Sequence, residues 1–315
     1  MEKRVLKPYH GIIFFVIAIV ALIFPGAFMQ YYWGAPGLVA SELLFLVLSI
    51  LYVLILRGDM KKVFPLRKVK LISVFGTILL WGGTLFVVMM LTMVLMCFFP
   101  EQMMSTSQGL SEAFRVMSLP VQIVVVALLP AICEEAVHRG VILNSFRPIR
   151  NKWIAIIGVG ILFGINHLDI WRLVPTAVLG IALSYVVYET DNMFYSIIYH
   201  FINNAFSAIV SSAASVAEVG EMSASVDVSL ELFSQPDYRM MIIGTYMMFA
   251  SVTPYLIYTA AYMVRLGKAD ASEVTYFPKG NKGWSIGILT GLTAFLLIGG
   301  LMLLVGSMVG VMASF

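Results

Sequence analysis

The sequence predicts an all-α fold, a polytopic transmembrane helical bundle of about nine spans with its N-terminus cytoplasmic and its C-terminus outside. Three observations carry this. Of 315 residues, 60% are hydrophobic and 12% charged, with a mean hydropathy of +0.94; a soluble domain is about 45–50% apolar and about 25% charged. Apolar runs near the roughly 20 residues that cross a bilayer recur along the chain. Lysines and arginines gather in alternate loops, as the positive-inside rule requires of a multi-span protein.

The spans fall at roughly 11–31, 37–56, 71–99, 120–146, 153–168, 173–189, 192–213, 239–264 and 284–312. The fifth and sixth are short and read as tilted or partly re-entrant. The first run continues into Tyr31, Tyr32 and Trp33 without a small-residue cleavage site, so it reads as a span and not as a cleaved signal. Cys97 and Cys133 both lie in apolar runs, which implies no disulfide framework. The 20 methionines read as ordinary filler of apolar helices. No long polar stretch supplies a separate soluble core, and no internal repeat is evident. Three portions follow: N-terminal spans over 1–119, a core over 120–213, and an external loop with two C-terminal spans over 214–315.

With the N-terminus inside, sixteen lysines and arginines face the cytoplasm. They are Lys3, Arg4 and Lys7; Arg57, Lys61, Lys62, Arg67, Lys68 and Lys70; Arg147, Arg150 and Lys152; and Arg265, Lys268, Lys279 and Lys282. Only Arg115, Arg172 and Arg239 face outward, with Arg139 inside a span. The segment 214–238 carries Glu218, Glu221, Asp227, Glu231 and Asp237 and no basic residue, and suits an external loop. This organisation places the protein in the cell membrane as a multi-pass protein and gives no footprint for nucleic acid.

Ionisable groups inside spans cost roughly 2.5–3.5 kcal/mol each at mid-helix and mark function by default. The fourth span holds Cys133-Glu134-Glu135-Ala136-Val137-His138-Arg139. At about 100° per residue, Glu135 and Arg139 face one way and pair, while Glu134 and His138 share another stripe. Glu134 thus lacks a built-in counter-ion and is the one suited to accept a proton. The bland alternative is an ion-paired knot that only fixes helix packing; one pair would suffice for that. The fifth span brings Phe163-Gly164-Ile165-Asn166-His167, and the seventh brings His200 and Asn204 at i and i+4. Glu42, in the second span, lies outside this cluster and reads as an interfacial or packing residue.

Depth allows these groups to meet. At about 1.5 Å per residue, Glu134 lies about 20 Å from the outer start of its span and His167 about 21 Å in from the cytoplasmic start of the fifth. His200 and Asn204 lie about 12 and 18 Å into the seventh. Together they are the parts of a hydrolytic site. The carboxylate takes a proton from water, the first histidine holds that water, and the His/Asn pair donates to a developing oxyanion. No Gly-x-Ser-x-Gly nucleophile occurs, and Cys133 diverges from His138 on the helix. Zinc at His138, His167 and His200 is a minority alternative, since the His-Glu-x-x-His helix motif is missing. No cofactor is expected.

Glu134-Glu135-x-x-x-Arg139, Phe163-x-x-x-His167 and His200-x-x-x-Asn204, in that order on separate spans, resemble the three motifs of the CAAX protease and bacteriocin-processing (CPBP, or Abi) family. That family includes the type II CAAX prenyl endopeptidases, intramembrane glutamate proteases. The resemblance covers about residues 120–210. It implies Glu134 as the base that activates water, His167 as its positioner, and His200 with Asn204 as the oxyanion hole. Glu135 and Arg139 would support the site. His138 departs from the pattern, where an aromatic residue is expected; on the Glu134 stripe it would bear on that carboxylate or on substrate. The resemblance implies an active endopeptidase acting on a membrane-embedded or membrane-associated peptide or protein. Two other classes stay open: a non-proteolytic immunity or scaffold protein that binds a peptide toxin or partner, and a proton-coupled transporter. Against the latter, the polar residues cluster in spans four, five and seven without paired interrupted helices.

Overall fold

A computed structural model describes residues 3–115, 117–217, 231–268 and 270–313. Among these residues the structure is helical throughout, with no strand and one isolated bridge between Arg4 and Gly58. In chain order the helices are α1 (Pro8–Trp33), α2 (Ala35–Ile55), the single turn α3 (Met60–Val63), α4 (Leu71–Phe98), α5 (Pro100–Arg115), α6 (Leu119–Phe146), α7 (Lys152–Asn166), α8 (Ile170–Thr190), α9 (Met193–Ala217), α10 (Pro236–Arg265) and α11 (Lys282–Ala313). Most of the expected acidic external loop, including Glu218, Glu221 and Asp227, lies outside the described residues.

Eight of these helices are long and apolar enough to cross a membrane; of the other three, α7 is the apolar one, at 15 residues. At about 1.5 Å per residue it reaches about 22 Å, short of a hydrocarbon layer about 30 Å thick. The expectation of a short fifth span therefore holds, whereas α8 is corrected to a full-length 21-residue helix. The α7–α8 pair forms a tight hairpin. Asp169 caps α8 by accepting from the Trp171 N–H at 2.9 Å, and Leu168 takes a left-handed φ of +52° to make the turn.

Proline and small residues shape the bundle. Pro25 sits in a π-turn of α1, and α6 carries two such turns, at Ile123–Leu128 and Ala136–Ile142. Insertions of this kind recur at functional sites. α7 and α8 approach so closely that a Cβ on Gly180 would lie 2.8 Å from the Gly160 carbonyl oxygen. Small residues are what let membrane helices come this near.

One end of the molecule collects the basic segments. Lys3 pairs with Asp59 at 3.0 Å and holds that carboxyl below its usual range. Asp191 accepts from both Arg67 and Arg147, and Glu189 from Lys152 and Lys268 at 2.6 Å each. The N-terminus and the loops around 57–70, 147–152, 191–192 and 266–268 thus meet at one face, as the charge pattern anticipates. At the other end the Phe99 and Trp171 rings touch, 5.0 Å between centroids, so α8 runs the full depth of the bundle.

The helices divide into an inner and an outer set. In their most apolar windows α6, α8 and α9 are 50%, 44% and 39% buried, against 11–28% for the other long helices. Two apolar clusters flank this inner set. One joins α1, α2 and α6 through Phe14, Phe45, Val137 and Val141; the other joins α4, α8, α9 and α10 through Leu80, Leu183, Tyr195 and Val264. The polar residues lie where the two meet.

Candidate active site

The α6 helix supplies two glutamates to two different environments. Glu135 is fully buried. Its Oε1 accepts from Arg139 Nη1 at 2.8 Å, the i,i+4 pair expected from helix geometry. The π-turn that begins at Ala136 does not disturb the pair. The guanidinium goes further: Nη2 donates to the Gly180 carbonyl at 2.9 Å, and Cζ stands 4.5 Å over the Phe163 ring. Arg139 thereby ties α6 to both arms of the α7–α8 hairpin.

The same Glu135 oxygen receives a second donor, His200 Nδ1 of α9, at 3.0 Å. An ionised carboxylate only accepts, so this contact places a proton on Nδ1 and aims Nε2 elsewhere. Nε2 points at Glu134, 3.8 Å from Oε2. Glu134 is only partly buried, and that Oε2 has no hydrogen-bond partner. Both acids leave Oε2 without a partner; they differ in that Glu135 is held through Oε1 by an arginine and a histidine, while no hydrogen bond holds the Glu134 carboxylate.

His167 caps the end of α7. Its Nδ1 donates to the Phe163 carbonyl at 2.9 Å, which leaves the half-buried Nε2 as an acceptor, within electrostatic reach of Glu134. His138 makes the equivalent bond, Nδ1 to the Glu134 carbonyl at 3.0 Å. It therefore meets the backbone of Glu134 and not its carboxylate. His138 is fully buried, which removes the expected option of contact with substrate. The Phe163 ring is the hub, edge-on to His138, His167 and His200 at 5.0, 4.9 and 5.7 Å.

Asn204 stands one turn beyond His200, half-buried, with Nδ2 donating to the Val126 carbonyl at 3.2 Å. In the ordinary α register that carbonyl would look to Pro130, four residues on, which has no N–H to offer it. Asn203 Nδ2 donates to the Asn204 oxygen at 3.3 Å and fixes which way the amide lies. One N–H of Asn204 remains.

The structure thus brings Glu134, Glu135, His138, Arg139, Phe163, His167 and His200 together around one ring, with Asn204 at the margin. Sequence reasoning missed two participants: the Gly180 carbonyl and the Val126 carbonyl. Glu42, read as interfacial or packing, is 7% exposed where α2 packs against α6, which agrees with packing. No three His, Cys, Asp or Glu side chains among the described residues are placed to hold a metal ion. The three histidines of the zinc alternative surround a phenyl ring and do not share a point.

The comparisons fall on this same stretch. Residues 116–206 match the family described as type II CAAX prenyl endopeptidase Rce1-like. The match begins just before α6 and ends within α9, covers every residue around Phe163, and bears out the resemblance to CAAX proteases read from the motifs. No curated protein and no solved structure matches the chain.

Proposed function

We propose that the protein is an intramembrane endopeptidase of the CAAX-protease type in which Glu134 activates water. The Rce1-like match supports a membrane endopeptidase in general. One observation supports the mechanism: Glu135 is fully buried and bound through Oε1 to Arg139 and His200, while Glu134 is only half-buried and its carboxylate takes no hydrogen bond beside the His200 ring. A general base needs that free carboxylate.

In this reading a water molecule lies between Glu134 and His167. Glu134 takes its proton, and His167 Nε2 accepts its second hydrogen to fix its direction. The oxygen attacks the scissile carbonyl carbon, and the displaced electron pair settles on the carbonyl oxygen. Asn204 and His200 Nε2 face that oxyanion. Because His200 Nδ1 is committed to Glu135, donation from Nε2 needs the imidazolium, whose charge the Glu135 carboxylate balances. The proton on Glu134 then passes to the leaving amine, and the C–N bond breaks.

The substrate is a membrane-embedded or membrane-associated peptide or protein. The basic end faces the cytoplasm by the positive-inside rule, which sets the N-terminus inside and, with α7 counted as a crossing, the C-terminus outside. The test uses purified full-length protein in lipid nanodiscs with a prenylated CAAX peptide and, in parallel, membrane proteomics for uncut precursors. Glu134→Gln and His167→Ala should abolish cleavage while thermal unfolding stays close to wild type. Full activity in either variant overturns the mechanism. An immunity phenotype that survives Glu134→Ala would favour binding without proteolysis.

A further inference from the structure

The basic end of the molecule divides into two corners. In one the cations are neutralised: Arg67 and Arg147 share Asp191, and Lys152 and Lys268 share Glu189. Lys70 of the same corner donates to the Leu266 and Lys268 carbonyls at 3.0 and 2.6 Å. The other corner forms where the N-terminal segment meets the end of α2. The Arg4 N–H donates to the Arg57 carbonyl at 3.0 Å, and Leu6, 1% exposed, sinks into the apolar cluster that holds Val53 and Val63. The Tyr52 hydroxyl donates to the His10 carbonyl at 2.8 Å and closes the same seam.

This seam gathers Lys3, Arg4, Lys7, Arg57, Lys61 and Lys62, all exposed. Its acid is Asp59, which accepts from Lys3 Nζ at 3.0 Å and from the Lys61 backbone N–H at 3.1 Å; Glu2 lies outside the described residues. Among the described residues, Arg4, Lys7, Arg57, Lys61 and Lys62 make no ion pair. Arg57 holds φ at +56°, a conformation that glycine takes freely, so a guanidinium stands here against the preference of the backbone. Beside these cations the surface turns apolar. Ile12, Ile13 and Val16 of α1 and Leu51, Leu54 and Ile55 of α2 are exposed, and a bilayer is what covers such side chains on spanning helices. The free cations therefore stand where acyl chains end and headgroups begin. A ligand that satisfies both surfaces carries a phosphate at one end and hydrocarbon at the other. A soluble anion or an acidic peptide meets only the cations.

We propose that this corner is a binding site for an anionic phospholipid, whose phosphate meets Arg4, Lys7 and Arg57 and whose acyl chains lie along α1 and α2. The site stands whether or not Glu134 is the base. The test is native mass spectrometry of the full-length protein in neutral detergent, with phosphatidylglycerol or phosphatidylcholine added at equal concentration. Wild type should retain phosphatidylglycerol at least about tenfold better than phosphatidylcholine, since each cation near an anionic headgroup contributes about fivefold in affinity. Arg4→Gln combined with Arg57→Gly removes two of them and should lower phosphatidylglycerol retention by about an order of magnitude. Glycine also relaxes the left-handed backbone, so the loss should come without a fall in unfolding temperature. Should the pair unfold, Arg4→Gln alone, which keeps the backbone N–H, carries the test with about a fivefold loss. Lys279→Gln with Lys282→Gln removes two exposed cations from the loop before α11 and should leave retention within about twofold, because separated surface charges are screened. Equal retention of the two lipids by wild type, or an equal loss in the Lys279/Lys282 variant, overturns the site. Displacement of the lipid by inorganic phosphate or by a polyglutamate peptide overturns it too, and would mark a site for soluble anions or for acidic peptides.

Discussion

The site has a closed side and an open side, and two consecutive residues divide them. Glu135, His138, Arg139 and His200 are 0–4% exposed and tightly bonded to one another or to backbone. Glu134, His167 and Asn204 are half-buried; the closed side also leaves Glu135 Oε2, His138 Nε2 and Arg139 Nε unpartnered, so exposure and not bonding alone separates the two sides. Buried charges are tolerated only when paired. Groups that meet a water and a peptide must instead lie open to both. The difference teaches that the closed side holds the architecture and the open side holds the chemistry, although both are built from the same residue types.

The largest test sets the two sides against each other. Arg139→Ala strands Glu135 as a buried, half-satisfied carboxylate, and breaking one partner of such a pair costs about 3–5 kcal/mol. Unfolding in detergent should fall by that order, and activity should vanish with the fold. Arg139→Ala combined with Glu135→Gln should recover part of the loss, since no buried charge is then left without a partner. Glu134→Gln should instead cost about 10²–10⁴ in kcat and almost nothing in stability. If Glu134→Gln unfolds the protein as badly as Arg139→Ala, the division is wrong.

How much of this the chain itself reveals depends on the range of each contact. Glu135 with Arg139 is four residues apart, and helix geometry alone fixes it. The nine apolar helices lie where hydropathy puts them, apart from the full length of α8. His200 with Glu135 spans 65 residues. It exists because α6 and α9 pack in one register, which periodicity cannot read in helices apolar on every face. The facing of Glu42 was hidden for the same reason; its only signal was an acid alone in an apolar run. The Val126–Asn204 bond was accessible in principle. A proline inside a predicted span announces a carbonyl in need of a donor four residues earlier.

That bond gives a smaller effect on the open side. Asn204→Ala removes one oxyanion donor, worth about 10²-fold in kcat. It also leaves the Val126 carbonyl without its side-chain donor, about 1 kcal/mol of stability. The two losses are separable, because Asn204→Gln can reach the carbonyl while displacing the amide from the site. Glutamine should restore the unfolding midpoint ahead of kcat. Equal recovery of both would mean that Asn204 is a helix brace and belongs with the closed side.

The smallest effect lies at the turn after His167. Leu168 holds φ at +52°, a conformation that costs an L-residue about 1–2 kcal/mol and glycine nothing. Its side chain is 53% exposed, so little packing is lost on truncation. Leu168→Gly relieves the backbone but loosens the unfolded chain, and the two should cancel to within about 1 kcal/mol. What happens to kcat then decides how His167 is held. If the Nδ1 bond to the Phe163 carbonyl sets the ring, kcat stays within a few-fold of wild type despite the more flexible turn. A drop of the order seen for Asn204→Ala would mean that the strained turn aims the imidazole, and the open side would then owe its geometry to the hairpin and not to the hydrogen bond.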